Sequence, residues 1–585
     1  MTSQVEACSI LAVDIGSCRT KAALFEVVEG RHRFVARSDV ATTLYHPVED
    51  VSVGVRQAIE KIEQICGRTL MGSSGPIIPE KSDGTGVDFF VTTTSVGGPL
   101  RLLVISTSAV SPLLNQLRGV TDLIAVDTEV LLLDELGGAS EVRMGALSKV
   151  LLRFDPHAVF VVQQESDGAS VGQVGREIVE AISTMGLEAV PIRFIGDLGG
   201  AESFAHGIRD ILDFRVLVSS GLSSNDGLLV IERELAELSQ QRLTKEIPGY
   251  PLLISWQNTP VECSFFACGN SLRFLSSYYK TDVLAVDIGA SSASLFKLTA
   301  EVGQAKLSYK YGVGRSGIGL LDGNAGSSDE TPTAQGLSIR RWLPVELTDE
   351  EVGNAILNKW ARPWTIPETD EEMLFERAVG VECVQRLRSE LGDQPHFFRC
   401  QDSLGMVIGS GGLLGRQKSP GRMALTLLDA LEPAGVFTMA VDRDALLPQL
   451  GIAGRICSQA AAEVLLADAY LDLGTCIACV SSGRPGSKAA TIEVKRGGGT
   501  EKIEVASGEI RVIPLPLGKT AEVVVNPSRN FDFSWGKGKS GRLTVKGGAL
   551  GLIIDTRGRP LIPSNSGHLD ETRRWLESID LREAE

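Results

Sequence analysis

The sequence predicts an α/β protein with a duplicated two-lobe fold, a helical insertion in its second half and a small C-terminal all-β domain. Three observations indicate this class. Apolar strands alternate with amphipathic helices in the first half, the segment 9–25 recurs at 281–296, and short strands separated by glycine-rich turns fill 490–563. A chain of 585 residues has room for about three or four domains.

The first half opens with a predicted hairpin. Residues 9–15 are mostly apolar, Gly16 lies in a polar turn, and a second apolar run ends at Phe25. Apolar residues at helical spacing and closing glycines predict helices at 53–67 and 174–186, and apolar runs predict strands at 87–91, 102–105 and 158–162. Alternation of strands and helices favours α/β layers over a sandwich or a bundle.

The second half repeats the opening. Residues 11–16 and 284–289 share the sequence Leu-Ala-Val-Asp-Ile-Gly, which indicates an internal duplication. Capping boxes that begin at Thr348 and Thr369 predict helices within an insertion at about 320–390. The predicted domains are a first lobe at 1–275, a second lobe at 276–485 that contains the insertion, and a β-rich domain with a helical tail at 486–585.

The charge balance argues against nucleic-acid binding. Lys and Arg number 57 against 73 Asp and Glu, which gives a net charge of -16 and no basic footprint for a phosphate backbone. The sequence has no apolar run long enough to span a bilayer and no signal-peptide pattern near Met1. We therefore expect a cytoplasmic protein that does not bind nucleic acid and does not span a membrane.

The ten cysteines are scattered along the chain, and we expect packed thiols and no disulfide framework. Cys476 and Cys479 form a C-x-x-C pair, but a second pair of zinc ligands at matching spacing is not evident. The six histidines are dispersed, and this pattern disfavours a histidine-based metal site.

Three glycine-containing segments carry the chemistry. Each hairpin ends its first strand in an aspartate, Asp14 or Asp287, followed by glycine and small hydroxyl residues. Backbone N–H groups and hydroxyls can bind phosphate there, and a carboxylate can hold a hydrated divalent ion. A single turn of this kind is common in proteins and is weak evidence for phosphate binding. Two such turns that face each other would bind a polyphosphate from both sides. The third segment is a strand that runs into glycines at 409–412, where a flat ring can lie on the backbone.

In this order the segments resemble the phosphate-1, phosphate-2 and adenosine motifs of the actin, sugar kinase and Hsp70 ATPase superfamily. The resemblance implies an RNase H-like, actin-like ATPase fold. Within that superfamily the sequence is similar to the glutamate mutase subunit L family, the MutL-type accessory proteins of adenosylcobalamin-dependent mutases. The segments that carry this resemblance, which covers about residues 9–480, are 11–21, 93–101, 158–168, 283–294, 314–320 and 409–412.

The resemblance implies ATP and Mg²⁺ as cofactors, with Asp14 and Asp287 holding the metal through water. The residues implied in phosphate binding are Gly16, Ser17, Thr20, Lys21, Gly289, Ser291 and Ser292, and those facing adenosine are Gly409, Gly411 and Gly412. Lys21 and Arg19 both sit beside the first hairpin, and either could contact phosphate or be an exposed cation on a turn. Gln164 and Asp167, with Gln163 as a further option, are candidates for the catalytic group, unless this segment is an ordinary strand end.

The family resemblance implies an ATP-binding switch that hydrolyses ATP slowly and acts as an accessory or reactivating chaperone of a cobalamin-dependent mutase. Its partners would be the nucleotide and a protein, either a mutase subunit or a second copy of the chain. An ATP-controlled actin-like filament or assembly protein is the alternative, and a small-molecule kinase is a third option that needs a positioned acidic base. Whether ATP is hydrolysed or only bound stays open at this point.

Overall fold

A computed structural model describes the chain in two compact units. The larger unit contains Met1–Ser95 and Trp256–Glu585, and the smaller unit contains Val96–Ser255. The residues described are 8–96, 100–106, 113–114, 117, 126–133, 140–163, 171–186, 189–196, 201–202, 204, 213–218, 225–257, 259–290, 293–298, 339–362, 364–390, 405–481, 483–496, 499–561 and 568–580.

Strands and helices alternate through much of the chain, which confirms the predicted α/β class. The strands are β1 (Ile10–Ile15), β2 (Arg19–Val28), β3 (Arg31–Ala41), β4 (Phe89–Thr94), β5 (Leu100–Ser106), β6 (Val126–Leu132), β7 (Ala158–Val162), β8 (Ile192–Ile195), β9 (Phe214–Val218), β10 (Glu262–Cys263), β11 (Val283–Ile288), β12 (Ala293–Leu298), β13 (Gly405–Ser410), β14 (Gly435–Val441), β15 (Leu471–Ala478), β16 (Lys488–Arg496), β17 (Gly499–Ala506), β18 (Ile510–Ile513), β19 (Thr520–Pro527), β20 (Gly541–Lys546) and β21 (Gly551–Asp555). The helices are α1 (Val51–Cys66), α2 (Ser140–Phe154), α3 (Val171–Thr184), α4 (Asn225–Glu246), α5 (Tyr250–Ser255), α6 (Ser264–Tyr279), α7 (Asp349–Ala361), α8 (Asp370–Glu390), α9 (Gly412–Gly415), α10 (Pro420–Leu431), α11 (Leu447–Ile456), α12 (Ser458–Ala467) and α13 (His568–Ile579).

The larger unit contains two sheets that share one local arrangement. The five-stranded sheet has the order β10-β4-β1-β2-β3, and the seven-stranded sheet has the order β12-β11-β13-β14-β15-β21-β18. In each, an antiparallel hairpin lies beside a parallel strand: β1 and β2 beside β4, and β11 and β12 beside β13. Both predicted hairpins are therefore present, and an aspartate, Asp14 or Asp287, is the penultimate residue of the first strand in each.

The segment that follows β15 contributes to two sheets. Strands β17, β16, β19 and β20 form a four-stranded antiparallel sheet over a core that includes Val494, Val523 and Phe533. Strands β21 and β18 instead extend the seven-stranded sheet, because β21 pairs in parallel with β15. The duplicated two-lobe division and a separate C-terminal all-β domain stay predictions.

The helices of the predicted insertion begin where the sequence indicates. The Thr348 hydroxyl accepts from the Glu351 N–H at 3.2 Å and the Glu351 carboxylate accepts from the Thr348 N–H at 2.8 Å, which completes a capping box for α7. Thr369 and Glu372 make the same two contacts ahead of α8. These caps satisfy N–H groups that have no partner within a helix. Residues 301–338 lie outside the described part of the chain.

Helices α6 and α11 cross at very short range. A Cβ atom built on Gly451 of α11 would lie 1.7 Å from the carbonyl oxygen of Ala267 in α6, so only glycine allows this backbone approach. The Ser271 hydroxyl donates to the carbonyl oxygen of Leu447 at 2.7 Å and adds a polar link between the helices. Because α6 follows β10 and α11 follows β14, the crossing joins the carboxyl edges of the two sheets.

One cluster of buried charges in the larger unit consists of paired opposite charges. Asp429 of α10 accepts hydrogen bonds from Arg377 and Arg557, and all three side chains have little exposure. Arg557 and Arg559 both donate to Asp555, and these two guanidinium groups hold the pKa of Asp555 well below its usual range despite its burial. Such a network is compatible with burial only because each charge has an opposite partner.

The smaller unit is a parallel sheet covered on both faces. Its five strands have the order β6-β5-β7-β8-β9, and each neighbouring pair is parallel. Alternate residues of β7 face different cores: Val159 lies in the core that includes residues of α2 and α3, and Phe160 in the core that includes residues of α4. Among the helices that the structure describes in either unit, none is long and apolar enough to cross a membrane.

A histidine that directly precedes the central strand β7 is held in its neutral form. The His157 Nδ1 atom accepts a hydrogen bond from the Arg101 N–H at 2.9 Å. Burial, together with the positive charges of Arg101 and Arg242, lowers the pKa of His157 to about 3. The imidazole is therefore uncharged at neutral pH.

Candidate functional site

A pocket in the larger unit collects most of the residues predicted to bind the nucleotide. It measures about 1440 Å³ when the solvent at its open mouth is included. The predicted residues among its lining are Asp14, Gly16, Ser17, Lys21, Asp287, Gly289, Gly411 and Gly412. The ends of both hairpins and the glycine segment after β13 therefore meet at one site.

The other predicted residues lie elsewhere or outside the described part of the chain. Thr20 is fully buried, and its hydroxyl lies 3.0 Å from that of Thr42, because alternate residues of β2 face opposite sides of the sheet. A Cβ on Gly409 would lie 2.5 Å from Leu414 Cδ1 and 2.7 Å from Leu427 Cδ2, so this glycine makes room for core leucines. Ser291, Ser292, Gln164 and Asp167 are not among the described residues.

Asp14 ends β1 and is held by two hydroxyl groups. Its Oδ1 atom accepts hydrogen bonds from Thr93 Oγ1 at 2.8 Å and from Ser264 Oγ at 2.5 Å. Thr93 is its register neighbour on β4, and Ser264 is the first residue of α6. Among the described residues these bonds all go to Oδ1, which leaves Oδ2 available to a ligand.

Asp287 occupies the same position on β11 and lies beside Ser410 of β13. The pKa of Asp287 is raised to about 6: burial is the main cause, the Lys21 ammonium opposes it, and the negative charges of Asp14 and Asp442 add to it. Lys21 is opposite Asp14 in the β1–β2 hairpin, and its carbonyl oxygen accepts from Gln449 Nε2 at 3.0 Å. A cation or a bound metal at this point would favour the charged carboxylates.

Asp442 is a third acidic group that the sequence analysis missed. It follows β14 directly, is fully buried, and accepts hydrogen bonds from Ser410 Oγ at 2.9 Å and from the N–H groups of Leu446 and Leu447 at 2.8 and 2.9 Å. Burial nevertheless raises its pKa to about 6. The signal available in the sequence was an aspartate directly after the apolar run of β14 and shortly before a helix.

Gly411 closes the pocket against the second hairpin. Its backbone has φ 98° and ψ 168°, a conformation accessible almost only to glycine. A Cβ there would lie 2.3 Å from the Ile288 carbonyl oxygen and 2.4 Å from Asp287 Oδ1. A Cβ on the neighbouring Gly412 would make only ordinary van der Waals contact, with the Arg416 guanidinium carbon nearest at 3.8 Å. The absent side chain at 411 therefore allows the loop to contact the Asp287 carboxylate.

The rest of the pocket wall comes from the predicted insertion and from the turn after β13. Lys359 and Glu376 form an ion pair at its edge, and the Trp364 side chain is half exposed beside it. The apolar residues that line this side are Ile339, Ile356, Phe375 and Val379. The pocket thus has an acidic end with one lysine and an apolar end, which suits a ligand with a charged and a flat apolar part.

Comparison with known families gives one match. Residues 10–110 and 231–469 match the family described as MutL protein. The matched segments include Asp14, Asp287, Asp442 and the glycine loop after β13. A search of curated proteins found no significant match.

Similar solved structures include a glycerol dehydratase reactivase with 12% identity over 77% of this chain and 100% of that chain, at a TM-score of 0.27. A PilM-PilN type IV pilus biogenesis complex has 14% identity over 79% and 98% of the two chains, at a TM-score of 0.22. The xylulose kinase from Bifidobacterium adolescentis has 11% identity over 80% and 94%, at a TM-score of 0.25. TM-scores this low do not establish a common fold.

Proposed function

This chain belongs to the MutL protein family, and we propose that it is an ATP-binding switch that serves as accessory or reactivating chaperone of a cobalamin-dependent mutase. The family resemblance supports the choice of partner. One observation supports the nucleotide: Asp14, Asp287, Lys21 and the glycine-only turn at Gly411 line a single pocket, and the buried Asp442 lies behind Ser410 in its wall. Fold and family alone would not decide the ligand, since related scaffolds serve different functions.

The donor set fits Mg²⁺. Magnesium prefers oxygen ligands and keeps several of its waters, and Asp14 Oδ2 and the half-buried Asp287 carboxylate, which both line the pocket, would bind those waters. Asp442 has its two oxygens engaged by Ser410 and by backbone N–H groups, so it would orient Ser410 and the start of α11. When bound, Mg²⁺ would neutralise charge on the phosphate oxygens.

The rest of the pocket would hold the nucleotide by its two ends. Lys21 and the backbone around Gly16 and Ser17 would bind phosphate oxygens, because an ammonium and unhindered N–H groups are donors suited to anions. The base would lie against the apolar wall that includes Phe375 and Val379, with the Arg416 guanidinium beside Gly412 as a further contact. Slow hydrolysis is part of the proposal, and the candidates that the sequence offers for its catalytic group, Gln164 and Asp167, lie outside the described residues.

Calorimetry with MgATP tests nucleotide binding. We expect saturable binding to the purified chain and a weakening of about tenfold or more in Lys21→Ala, because loss of a charge-assisted contact is worth at least 1.4 kcal/mol. Lys61→Ala is the matched control, since Lys61 is an exposed lysine on α1 outside the pocket. Neither heat nor a thermal shift at millimolar MgATP would refute this part.

The chaperone role needs a separate measurement. A cobalamin-dependent mutase inactivated during turnover should recover activity when the chain and MgATP are added together, and should not recover with Lys21→Ala. Negative-stain microscopy of the chain with and without ATP tests the alternative function, an ATP-controlled filament or assembly protein. Nucleotide-dependent filaments without any reactivation would favour the assembly protein over the chaperone.

A further inference from the structure

A second cluster of functional side chains lies outside the pocket. Cys8 precedes β1, His32 is the second residue of β3, and Cys457 lies between α11 and α12. One ligand atom from each, two sulfur atoms and one imidazole nitrogen, lies within 4.8 Å of the others. Cys8 and His32 are buried, and Cys457 is half-buried. We propose that these three side chains bind a thiophilic metal ion, namely zinc.

The spacing of the ligand atoms agrees with tetrahedral coordination. Zinc–sulfur bonds of about 2.3 Å and zinc–nitrogen bonds of about 2.0–2.1 Å place a sulfur and a nitrogen ligand about 3.5 Å apart. The distance from Cys8 Sγ to His32 Nε2 is 3.5 Å. Two thiolates and an imidazole select zinc over magnesium or calcium, which prefer oxygen. The site is therefore chemically distinct from the acidic pocket.

The histidine already has the support that a metal ligand requires. His32 Nδ1 lies 2.9 Å from Glu463 Oε2, and the same oxygen accepts the His32 backbone N–H at 2.7 Å. Gln459 Nε2 donates to the other oxygen of Glu463 at 3.0 Å and fixes this carboxylate on α12. With its Nδ1 proton donated to Glu463, the ring presents the Nε2 lone pair toward Cys8, as in carboxylate–histidine–zinc sites.

The site would reinforce contacts between β3 and α12. Arg33 donates to Asp468 at 2.7 and 2.8 Å, and the Phe34 N–H donates to Asp468 at 3.1 Å, directly beside His32. A metal at His32 would add a strong link between the same two elements. The half-buried Cys457 side leaves the fourth coordination position to water. Because the ligands come from distant parts of the sequence, only the folded chain assembles the site, and zinc binding would stabilise the fold.

Metal analysis of the full chain, with its purification tag at the C-terminus and in the absence of nucleotide, tests the proposal. We expect about one zinc per reduced chain, and thiolate-to-cobalt charge-transfer bands when Co²⁺ replaces it. Cys8→Ser and Cys457→Ser should lose the metal, whereas Cys66→Ser, a half-buried cysteine on α1, should retain it. Glu463→Gln should weaken binding about 10–100-fold, since this carboxylate positions the histidine.

Three results would overturn the assignment. They are a wild-type chain that binds neither zinc nor Co²⁺ through thiolate, metal retained in both serine variants, and a metal-free protein in which mass spectrometry finds a Cys8–Cys457 disulfide. The cobalt spectrum is measured on the wild-type chain. The test therefore does not depend on whether every variant folds. A failure of nucleotide binding would leave this site unaffected, because the metal is measured without nucleotide.

Discussion

Replacing Gly411 by alanine is expected to destabilise the pocket, whereas the same replacement at Gly412 is not. The two glycines are adjacent and receive the same methyl group. They differ in what that group would meet: Asp287 Oδ1 at 2.4 Å and the Ile288 carbonyl oxygen at 2.3 Å for Gly411, and nothing closer than 3.8 Å for Gly412. Comparing the two variants therefore distinguishes destabilisation caused by the close backbone approach at Gly411 from destabilisation that any glycine-to-alanine replacement in this loop would cause.

Two costs contribute at Gly411. Its φ of 98° and ψ of 168° lie in a region nearly exclusive to glycine, where a side chain costs about 1–3 kcal/mol. Overlap with a backbone oxygen forces a displacement of the β11 hairpin, and overpacking of this kind costs about 1–3 kcal/mol. The free energy of unfolding should thus fall by about 2–6 kcal/mol in Gly411→Ala and by less than about 1 kcal/mol in Gly412→Ala.

Guanidinium denaturation of the wild-type chain and both variants measures these differences, and thermal shifts with MgATP report on the pocket. Because the new methyl group displaces the Asp287 carboxylate, Gly411→Ala should also lose the nucleotide-dependent shift. An unchanged denaturation midpoint in Gly411→Ala would refute the reasoning. Equal destabilisation by Gly412→Ala would show that the close approach to Asp287 is not the cause.

Three further predictions concern other parts of the molecule. As the pH falls from 6.5 toward 3, His157→Gln should lose less stability than the wild-type chain. The folded pKa of His157, about 3, lies below the unfolded value, so acid protonates the unfolded chain first and favours it. Equal slopes of thermal midpoint against pH in the two proteins would contradict this. Asp429→Ala should cost about 3–5 kcal/mol in chemical denaturation, since it leaves the buried Arg377 guanidinium without its acidic partner and removes one of the two acidic partners of Arg557. Glu504→Ala, at an exposed ion pair, should cost at most about 1 kcal/mol. Similar losses in the two variants would refute the burial argument. Gly451→Ala should lower the thermal midpoint well beyond Gly454→Ala, because its methyl group would meet the α6 backbone at 1.7 Å against 3.3 Å to the nearest atom at 454; equal midpoints would disprove the close crossing.

The features that could be predicted from the sequence are local ones. The Asp14 and Asp287 hairpins and the capping boxes at Thr348 and Thr369 each depend on residues within a few positions of one another. Turn chemistry and capping act over that range, so a short segment contains the necessary information. The α/β class follows from the same alternation of strand and helix patterns.

The features that were missed depend on tertiary placement. Asp442 becomes a buried neighbour of the pocket only because β14 lies beside β13 and α11 starts five residues later. Gly409 fits the glycine pattern of a nucleotide loop, yet its cause is the packing of Leu414 and Leu427. Cys8 and Cys457 are far apart in sequence, and spacing rules for metal ligands detect only nearby pairs.

The crossing at Gly451 of α11 divides α6 into a short part that leads to the pocket and a long part that leads to the surface. Ser264, which binds Asp14, lies about 4.5 Å along α6 from the crossing at Ala267, whereas Tyr279 lies about 18 Å beyond it at 1.5 Å per residue. A rigid α6 that pivots there would turn a 1 Å shift at Ser264 into roughly 4 Å at Tyr279. Tyr279 is partly exposed and its hydroxyl lies 2.7 Å from that of Tyr470. A pivot of this kind would therefore convert a small change at the pocket into a larger movement of this tyrosine pair at the surface.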